Sequence, residues 1–334
     1  MIKNQENFSA GIGNTPLIKL KAASEITGCN IYGKAEFLNP GGSVKDRAAL
    51  ALIKDAQDKK LISKGGTVVE GTAGNTGIGL GLLGNSLGYK TIIVMNDNQT
   101  QEKKDILKNL GAELKLVPAK PFKDENNYVK VASRLADELR PNNNNGVIWA
   151  NQFDNTANAK GHYEGTGKEI WDQTDGKVDA FICSSGTGGT ISGVSNALKE
   201  KNKNIKIYLS DPKGSSLYNY IKNGELKSEG NSITEGIGSS RITKNFENAK
   251  IDDAFSIDDH EALPILYDLI KNEGLSLGTS CGINIAGAIR LGKELGPGKT
   301  IVTILCDKSD KYASKMFNKN FLDAKGLNYP DWIK

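Results

Sequence analysis

Short β-branched and aliphatic runs alternate along the chain with longer segments whose apolar residues recur at three- and four-residue spacing. The first pattern predicts buried strands and the second amphipathic helices. Strands are expected at Ile31–Glu36, Thr67–Glu70, Thr91–Met95, Leu114–Val117, Val147–Ala150, Val178–Cys183, Ile205–Leu209 and Thr300–Cys306. Helices are expected between most of them, clearest at Val44–Lys54, Gln101–Leu110, Tyr128–Leu139, Glu261–Lys271 and Ile283–Leu295. This alternation predicts an α/β protein with mainly parallel sheets. The hydrophilic stretch Pro141–Asn145 reads as a surface loop, and a domain crossing is expected near it. The sequence carries no internal repeat and no long low-complexity tract.

A length of 334 residues suits two domains or one large α/β unit. With 43 basic and 39 acidic residues the formal net charge is +4, without the basic blocks of a phosphate-backbone binder, so nucleic acid is not an expected partner. Cys29, Cys183, Cys281 and Cys306 lie far apart and form no CxxC pair, and His162 and His260 are the only histidines. No metal site is expected from that inventory, and reduced thiols suit a cytoplasmic protein. The polar start, Met1–Gly13, lacks an apolar signal core, and no run reaches the length of a membrane span, so no membrane partner is expected. Glycine is frequent, 38 residues against an average of about 7%, which points to close backbone approaches.

Those glycines gather in four hydroxyl-rich turns beside predicted strands and helices, at the edge where open α/β sheets place ligands. Ser184, Ser185, Gly186, Thr187, Gly188, Gly189 and Thr190 follow the strand Val178–Cys183 and precede a helix with Ile191, Val194 and Leu198 on one face. Glycine lets backbone N–H groups approach a phosphate, hydroxyls add donors, and the helix start adds partial positive charge. A plain strand-to-helix turn is the competing reading. A dinucleotide fingerprint would need glycine at Ile191, but Asp211, ending the next strand, stands where a ribose-binding acid would, which keeps a nicotinamide-dependent oxidoreductase open. A phosphate loop at Gly298, Lys299 and Thr300 is excluded, because residue 293 is lysine and the segment precedes a strand.

The turn Asn39–Ser43 leads into Val44, Lys45, Asp46, Arg47 and an apolar helix. Ser43 and Asp46 have capping-box spacing. Lys45 then falls in the first helical turn, where the helix dipole disfavours an ammonium ion, and a neutral amine is a nucleophile. An ordinary solvated lysine is the alternative. Gly71, Thr72, Ala73, Gly74, Asn75, Thr76 and Gly77 offer donors suited to a carboxylate, or simply a turn. In Gly278, Thr279, Ser280, Cys281 and Gly282, Ser280 is either a ligand group or the N-cap of the helix that follows.

Taken in this order, the four segments resemble the fold type II pyridoxal-phosphate enzymes of the cysteine synthase (O-acetylserine sulfhydrylase) and cystathionine β-synthase branch, and bacterial cysteine synthases most closely. The resemblance runs from Gly13, Asn14, Thr15, Pro16 and Leu17, through Gln152, Phe153 and Gly236, Ile237, Gly238, to the last strand. It implies two three-layer α/β domains of the tryptophan-synthase-β-like type. Residues 1–12 and 39–154 would form a smaller, mobile domain, and 13–38 and 155–334 a larger one. It implies pyridoxal 5'-phosphate as cofactor, with Lys45 as its Schiff-base lysine and as base and acid at the substrate α-carbon. Gly186, Thr187, Gly188, Gly189 and Thr190 would cradle the phosphate. Asn75 would meet the ring hydroxyl and Ser280 the ring nitrogen, while Thr72, Ala73, Gly74, Asn75, Thr76 and Gln152 would hold the substrate carboxylate. Serine is common in the family at the positions of Ala73 and Cys281.

The implied reaction is a β-replacement in which O-acetyl-L-serine loses acetate, leaving an α-aminoacrylate, and sulfide adds to give L-cysteine. The same lysine would serve condensation of serine with homocysteine, or a desulfhydrase or dehydratase. A homodimer and a complex with serine acetyltransferase are further implications. His162 is expected to be structural or superficial, and Cys183, Cys281 and Cys306 to pack as small apolar groups.

Overall fold

Parallel strands need a long crossover to bring the chain back to the same edge, and here helices supply it. The computed structural model describes residues 7–72 and 74–333. Among them run β1 (Leu17–Lys19), β2 (Asn30–Ala35), β3 (Thr67–Gly71), β4 (Lys90–Asn96), β5 (Glu113–Val117), β6 (Val147–Trp149), β7 (Ala180–Cys183), β8 (Lys206–Pro212), β9 (Asp253–Ile257) and β10 (Thr300–Leu305). The chain forms two units, the first from residues up to Gly13 with Asn39–Gly161, the second from Asn14–Leu38 with His162 onward.

In the first unit the sheet order is β5–β4–β3–β6, every pairing parallel. Neighbouring residues of a strand face opposite sides. Val68 packs with Ala49, Leu52 and Ile53 of the helix Lys45–Asp58 and with Leu80 and Leu83 of the helix Asn75–Leu87. Val69 packs with Ala132 and Ala136 of the helix Tyr128–Leu139. That alternation makes three layers, with the glycine-rich turn at the carboxyl end of β3 left for other work. The loop Pro141–Asn145 carries no crossing between units: β6 follows it and pairs with β3, and the chain leaves this unit only after Gly161, inside the helix Ala157–His162.

The second unit has the order β1–β2–β10–β7–β8–β9, parallel except for β1 against β2. Ile31, Ile182 and Ile301 meet Leu263 and Leu266 of the helix Asp259–Asp268 and Ile285 and Leu291 of the helix Thr279–Leu295. The helix Gly189–Lys201 lies against β7 with Ile191, Val194 and Leu198 fully buried. The architecture is the α/β one with mainly parallel sheets that the sequence pattern predicts. All eight expected strands are present; β1 and β9 are additional. Both are edge strands, half-covered and short, so their apolar signature is weak. Among the described residues no helix is long and apolar enough to cross a membrane.

One fully buried cation sits in the second unit. Lys34 on β2 pairs with Glu169 at 2.6 Å and donates to Gln173 Oε1 at 2.9 Å and to the carbonyl of Thr15. A buried ion loses hydration, so its partners decide whether it is tolerated. Glu169→Ala is expected to cost about 3 kcal/mol of unfolding free energy by leaving that ammonium short of its counter-charge. Urea unfolding measures it, and the double variant Lys34→Met, Glu169→Leu is expected to recover most of the loss.

Candidate active site

Lys45 opens the helix Lys45–Asp58 and is half-buried. The turn before it is tied by side chains: Asn39 Oδ1 accepts from Gly13 N–H at 2.9 Å, Asn39 Nδ2 donates to Ser43 O at 3.2 Å, and Ser43 Oγ accepts from Lys45 N–H at 3.2 Å. The expected capping box is not formed. Asp46, fully buried, instead accepts from Gly41 N–H at 2.6 Å, because the turn doubles back five residues rather than three. A Cβ at Gly41 would lie 2.5 Å from that carboxylate. Lys45 thus stands in the first helical turn, as expected, on a rigid support.

The β3 turn supplies the other polar groups of the first unit. Thr72 Oγ1 accepts from Gly74 N–H at 3.2 Å, and Gly74 is the N-cap of the helix Asn75–Leu87, with no side-chain cap. A Cβ at Gly74 would meet nothing within 4 Å, so the turn opens there onto free space. Asn75 starts the helix half-buried; Thr76, buried, donates from Oγ1 to Gln152 Oε1 at 2.6 Å. Gln152 follows β6 on Asn151, whose φ of 52° turns the chain, and its carbonyl accepts from Asn158 Nδ2 at 2.9 Å. The structure therefore joins Thr76 to Gln152 across 76 positions of sequence; Ala73 lies outside the described residues. Behind them Glu70 is fully buried on β3, 3.4 Å from Gln152 Nε2. Burial pushes its carboxyl up to about 8, against smaller opposing effects of N–H donors from Asn151, Gln152 and Gly71.

In the second unit Gly188, at φ 88°, caps the helix Gly189–Lys201 without a side chain; Thr187 Oγ1 accepts from Gly189 N–H at 3.4 Å, and the N–H groups that follow in the first turn suit an outside acceptor. A Cβ at Gly188 would lie 2.6 Å from Phe246 N, and one at Gly186 2.4 Å from Gly236 O. The cradle is backed on both sides: Thr243 Oγ1 donates to Thr187 O at 2.7 Å, and Gly238 N–H donates to Ser185 O at 2.8 Å. Ser280 is buried in the first turn of the helix Thr279–Leu295, whose N-cap is Gly278, so the capping role weighed for Ser280 is excluded. Asn284, one turn later, accepts from Ser184 N–H at 2.7 Å and ties this helix to the glycine turn. Asn284 has no signal in the sequence, and of the two placements expected for His162, structural or superficial, the ring takes the first. That ring is buried, with Nδ1 2.8 Å from Thr166 Oγ1 and Nε2 3.2 Å from Thr190 Oγ1, beside a π-helical turn at Tyr163–Gly167. Such turns frequently mark functional sites.

A family model described as pyridoxal-phosphate dependent enzyme matches residues 8–307. The chain belongs to that family. Cysteine synthase 1 of Emericella nidulans is 50% identical over 325 residues, 96% of this chain and 86% of that protein. Cystathionine beta-synthase of Apis mellifera is 40% identical over 332 residues, 98% of this chain and 64% of that protein. Among solved structures, a hydrogen sulfide-producing enzyme of Fusobacterium nucleatum superposes with a TM-score of 0.82 at 33% identity, covering 93% of this chain and 99% of the other. Pyridoxal phosphate is the family's cofactor, and the residues present fit it. The helix start with its two obligatory glycines suits a phosphate. Ser185 Oγ and Thr279 Oγ1 are buried without a hydrogen-bond partner among the described residues, which a polar ligand would relieve.

The pyridoxal-phosphate assignment displaces the nicotinamide one. Asp211 is fully buried, and its Oδ2 accepts from Tyr218 N–H at 2.8 Å, which anchors the turn beyond β8; burial raises it to about 6. Cys183 ends β7 and Cys306 lies just past β10, its N–H donating to Cys281 Sγ at 3.1 Å. Cys281 is fully buried, and burial pushes its thiol up, as suits a packing role.

Glu70 gives the site a pH signature. Its folded value near 8 lies above the ordinary 4.5, so the native state holds an extra proton between the two. Its contribution to stability is whole below about pH 4.5 and fades at up to about 1.4 kcal/mol per unit as pH rises to about 8. Urea unfolding between pH 5 and pH 8 is expected to show that decline, and Glu70→Gln to remove its share.

Proposed function

We propose that this chain makes L-cysteine and acetate from O-acetyl-L-serine and sulfide. The observation that carries the reading is kinship over nearly the whole chain with a cysteine synthase, 50% identical across 96% of its length, together with an intact lysine turn at Asn39–Arg47. Pyridoxal phosphate, when bound, supplies the sink for the electron pair released at the substrate α-carbon. Lys45 attaches the cofactor through its amine, then holds the α-proton and returns it. Gly186–Thr190 bind the phosphate, Asn75 the ring hydroxyl and Ser280 the ring nitrogen. A neutral serine at that nitrogen, unlike a carboxylate, leaves it without a counter-ion, which suits elimination. Thr72, Ala73, Gly74, Asn75, Thr76 and Gln152 bind the α-carboxylate and, by closing over it, exclude water. The C–O bond at the β-carbon breaks as acetate leaves, the C–S bond forms from hydrosulfide, and the proton count balances through Lys45.

Condensation of serine with homocysteine is the second reading, favoured by the 40% identity with the Apis mellifera cystathionine beta-synthase. Against it stands the higher identity, 50%, with the Emericella nidulans cysteine synthase. A homodimer, a cytoplasmic setting and a complex with serine acetyltransferase belong to the same proposal, light scattering being the check on the first.

Borohydride reduction of the holoenzyme followed by peptide mapping is expected to leave the cofactor on Lys45. Lys45→Ala is expected to lower turnover at least about a thousandfold while phosphate-site binding persists. O-acetylserine with sulfide should give stoichiometric cysteine and acetate; faster product from serine and homocysteine would move the assignment to cystathionine synthesis. Reduced cofactor on another lysine, or none after reconstitution, would sink the reading as a whole.

A further inference from the structure

Glu70 is a fully buried acid near the proposed carboxylate turn and has no role in the reaction described above. It is the last residue but one of β3, Thr67–Gly71, and a Cβ at Gly71 would sit 2.7 Å from Val129 Cα, so the strand end is packed closely against the helix Tyr128–Leu139. A continuous chain of contacts leads from its carboxyl to the turn. Gln152 Nε2 donates to Glu70 Oε1 at 3.4 Å, and Thr76 Oγ1 donates to Gln152 Oε1 at 2.6 Å. Glu70 Oε2, also buried, has no hydrogen-bond partner among the described residues.

Resting on the reading that the Thr72–Thr76 turn takes the substrate α-carboxylate, we infer that Glu70 is the positioning residue of that subsite, holding the Gln152 amide, and through it the Thr76 hydroxyl, in register for an anion. An amide nitrogen has two N–H groups. Glu70 occupies one and fixes the plane, so the other has a set direction. The acid must do this without charge, because an ionised carboxylate behind the turn would repel an incoming carboxylate through a medium of low dielectric. Burial provides that, keeping Glu70 protonated at neutral pH. The chemistry required at position 70 is therefore a neutral acceptor of glutamate length, which glutamine reproduces and leucine or methionine does not.

The test uses the holoenzyme and two probes without a leaving group, L-alanine and L-alaninamide, followed by the absorbance change of the bound cofactor. Glu70→Leu is expected to weaken L-alanine about tenfold, the effect of one lost buried hydrogen bond, and to leave L-alaninamide unchanged. The KM for O-acetylserine should rise in step while that for sulfide stays put. Glu70→Gln should keep all of these within about twofold of the parent. Glu70→Met carries the same comparison if the leucine variant does not retain its fold and cofactor. Equal weakening of both probes, or a glutamine variant as impaired as the leucine one, overturns the inference. Gln152→Ala separates the layers. Affinity for L-alanine lost in Gln152→Ala but kept in Glu70→Leu overturns the positioning role alone; affinity untouched by Gln152→Ala overturns the carboxylate reading and the inference with it.

Discussion

The first N–H groups of a helix have no carbonyl of their own to bind, and each of the turns that carry the proposed site residues opens a helix. The helices that open at Asn75, Gly189 and Thr279 are preceded by Gly74, Gly188 and Gly278, which have no side chain to cap them, while Ser43 Oγ takes the Lys45 N–H and Thr187 Oγ1 the Gly189 N–H. By contrast, Asn127 and Asp258 close the first turns of the helices Tyr128–Leu139 and Asp259–Asp268 with their own oxygens. The same fold thus satisfies its helix starts internally in some places and leaves donors pointing outward at others. Parallel sheets make that distribution useful, because each crossover returns the chain so that strand ends and helix starts share an edge.

Rigidity accompanies these open donors. Asp46 pins Gly41, Asn39 pins Gly13 and Ser43, and Asn284 holds the Ser184 turn. An anion cradle binds well only when its donors already converge, since ordering them at the moment of binding costs entropy. The polar residues around the turns are therefore committed to backbone atoms before any ligand arrives, and the remaining hydroxyls, Ser185 and Thr279 among them, are those left over.

Much of this was legible in the sequence for a definite reason. Strands buried on both faces read as continuous apolar runs, and turns that admit only glycine must spell glycine, so β3, β7 and the segments around Lys45, Asn75, Gly188 and Ser280 announce themselves. What escaped depends on distant pairings. Glu70 reads as the last residue of a strand until Gln152 is seen beside it; His162 reads as structural or superficial until Thr190 is seen beside its Nε2. Asp46 sits at the right spacing for a capping box, yet the turn geometry sends its carboxylate to Gly41 instead. Edge strands β1 and β9 gave too little burial for a pattern to form.

Sheet order has a bearing on how such a chain is made. β2, Asn30–Ala35, is made well before its parallel partner β10, Thr300–Leu305, which sits between β2 and β7. At ordinary ribosomal speeds the gap is on the order of tens of seconds. Throughout it, Ile31 and its neighbours present an unpaired edge of the kind that recruits other strands. The first unit's sheet, drawn wholly from residues 67–149, is complete long before. Nascent chains should accordingly carry one finished sheet and one waiting edge, and it is the waiting edge that would engage a ribosome-associated chaperone.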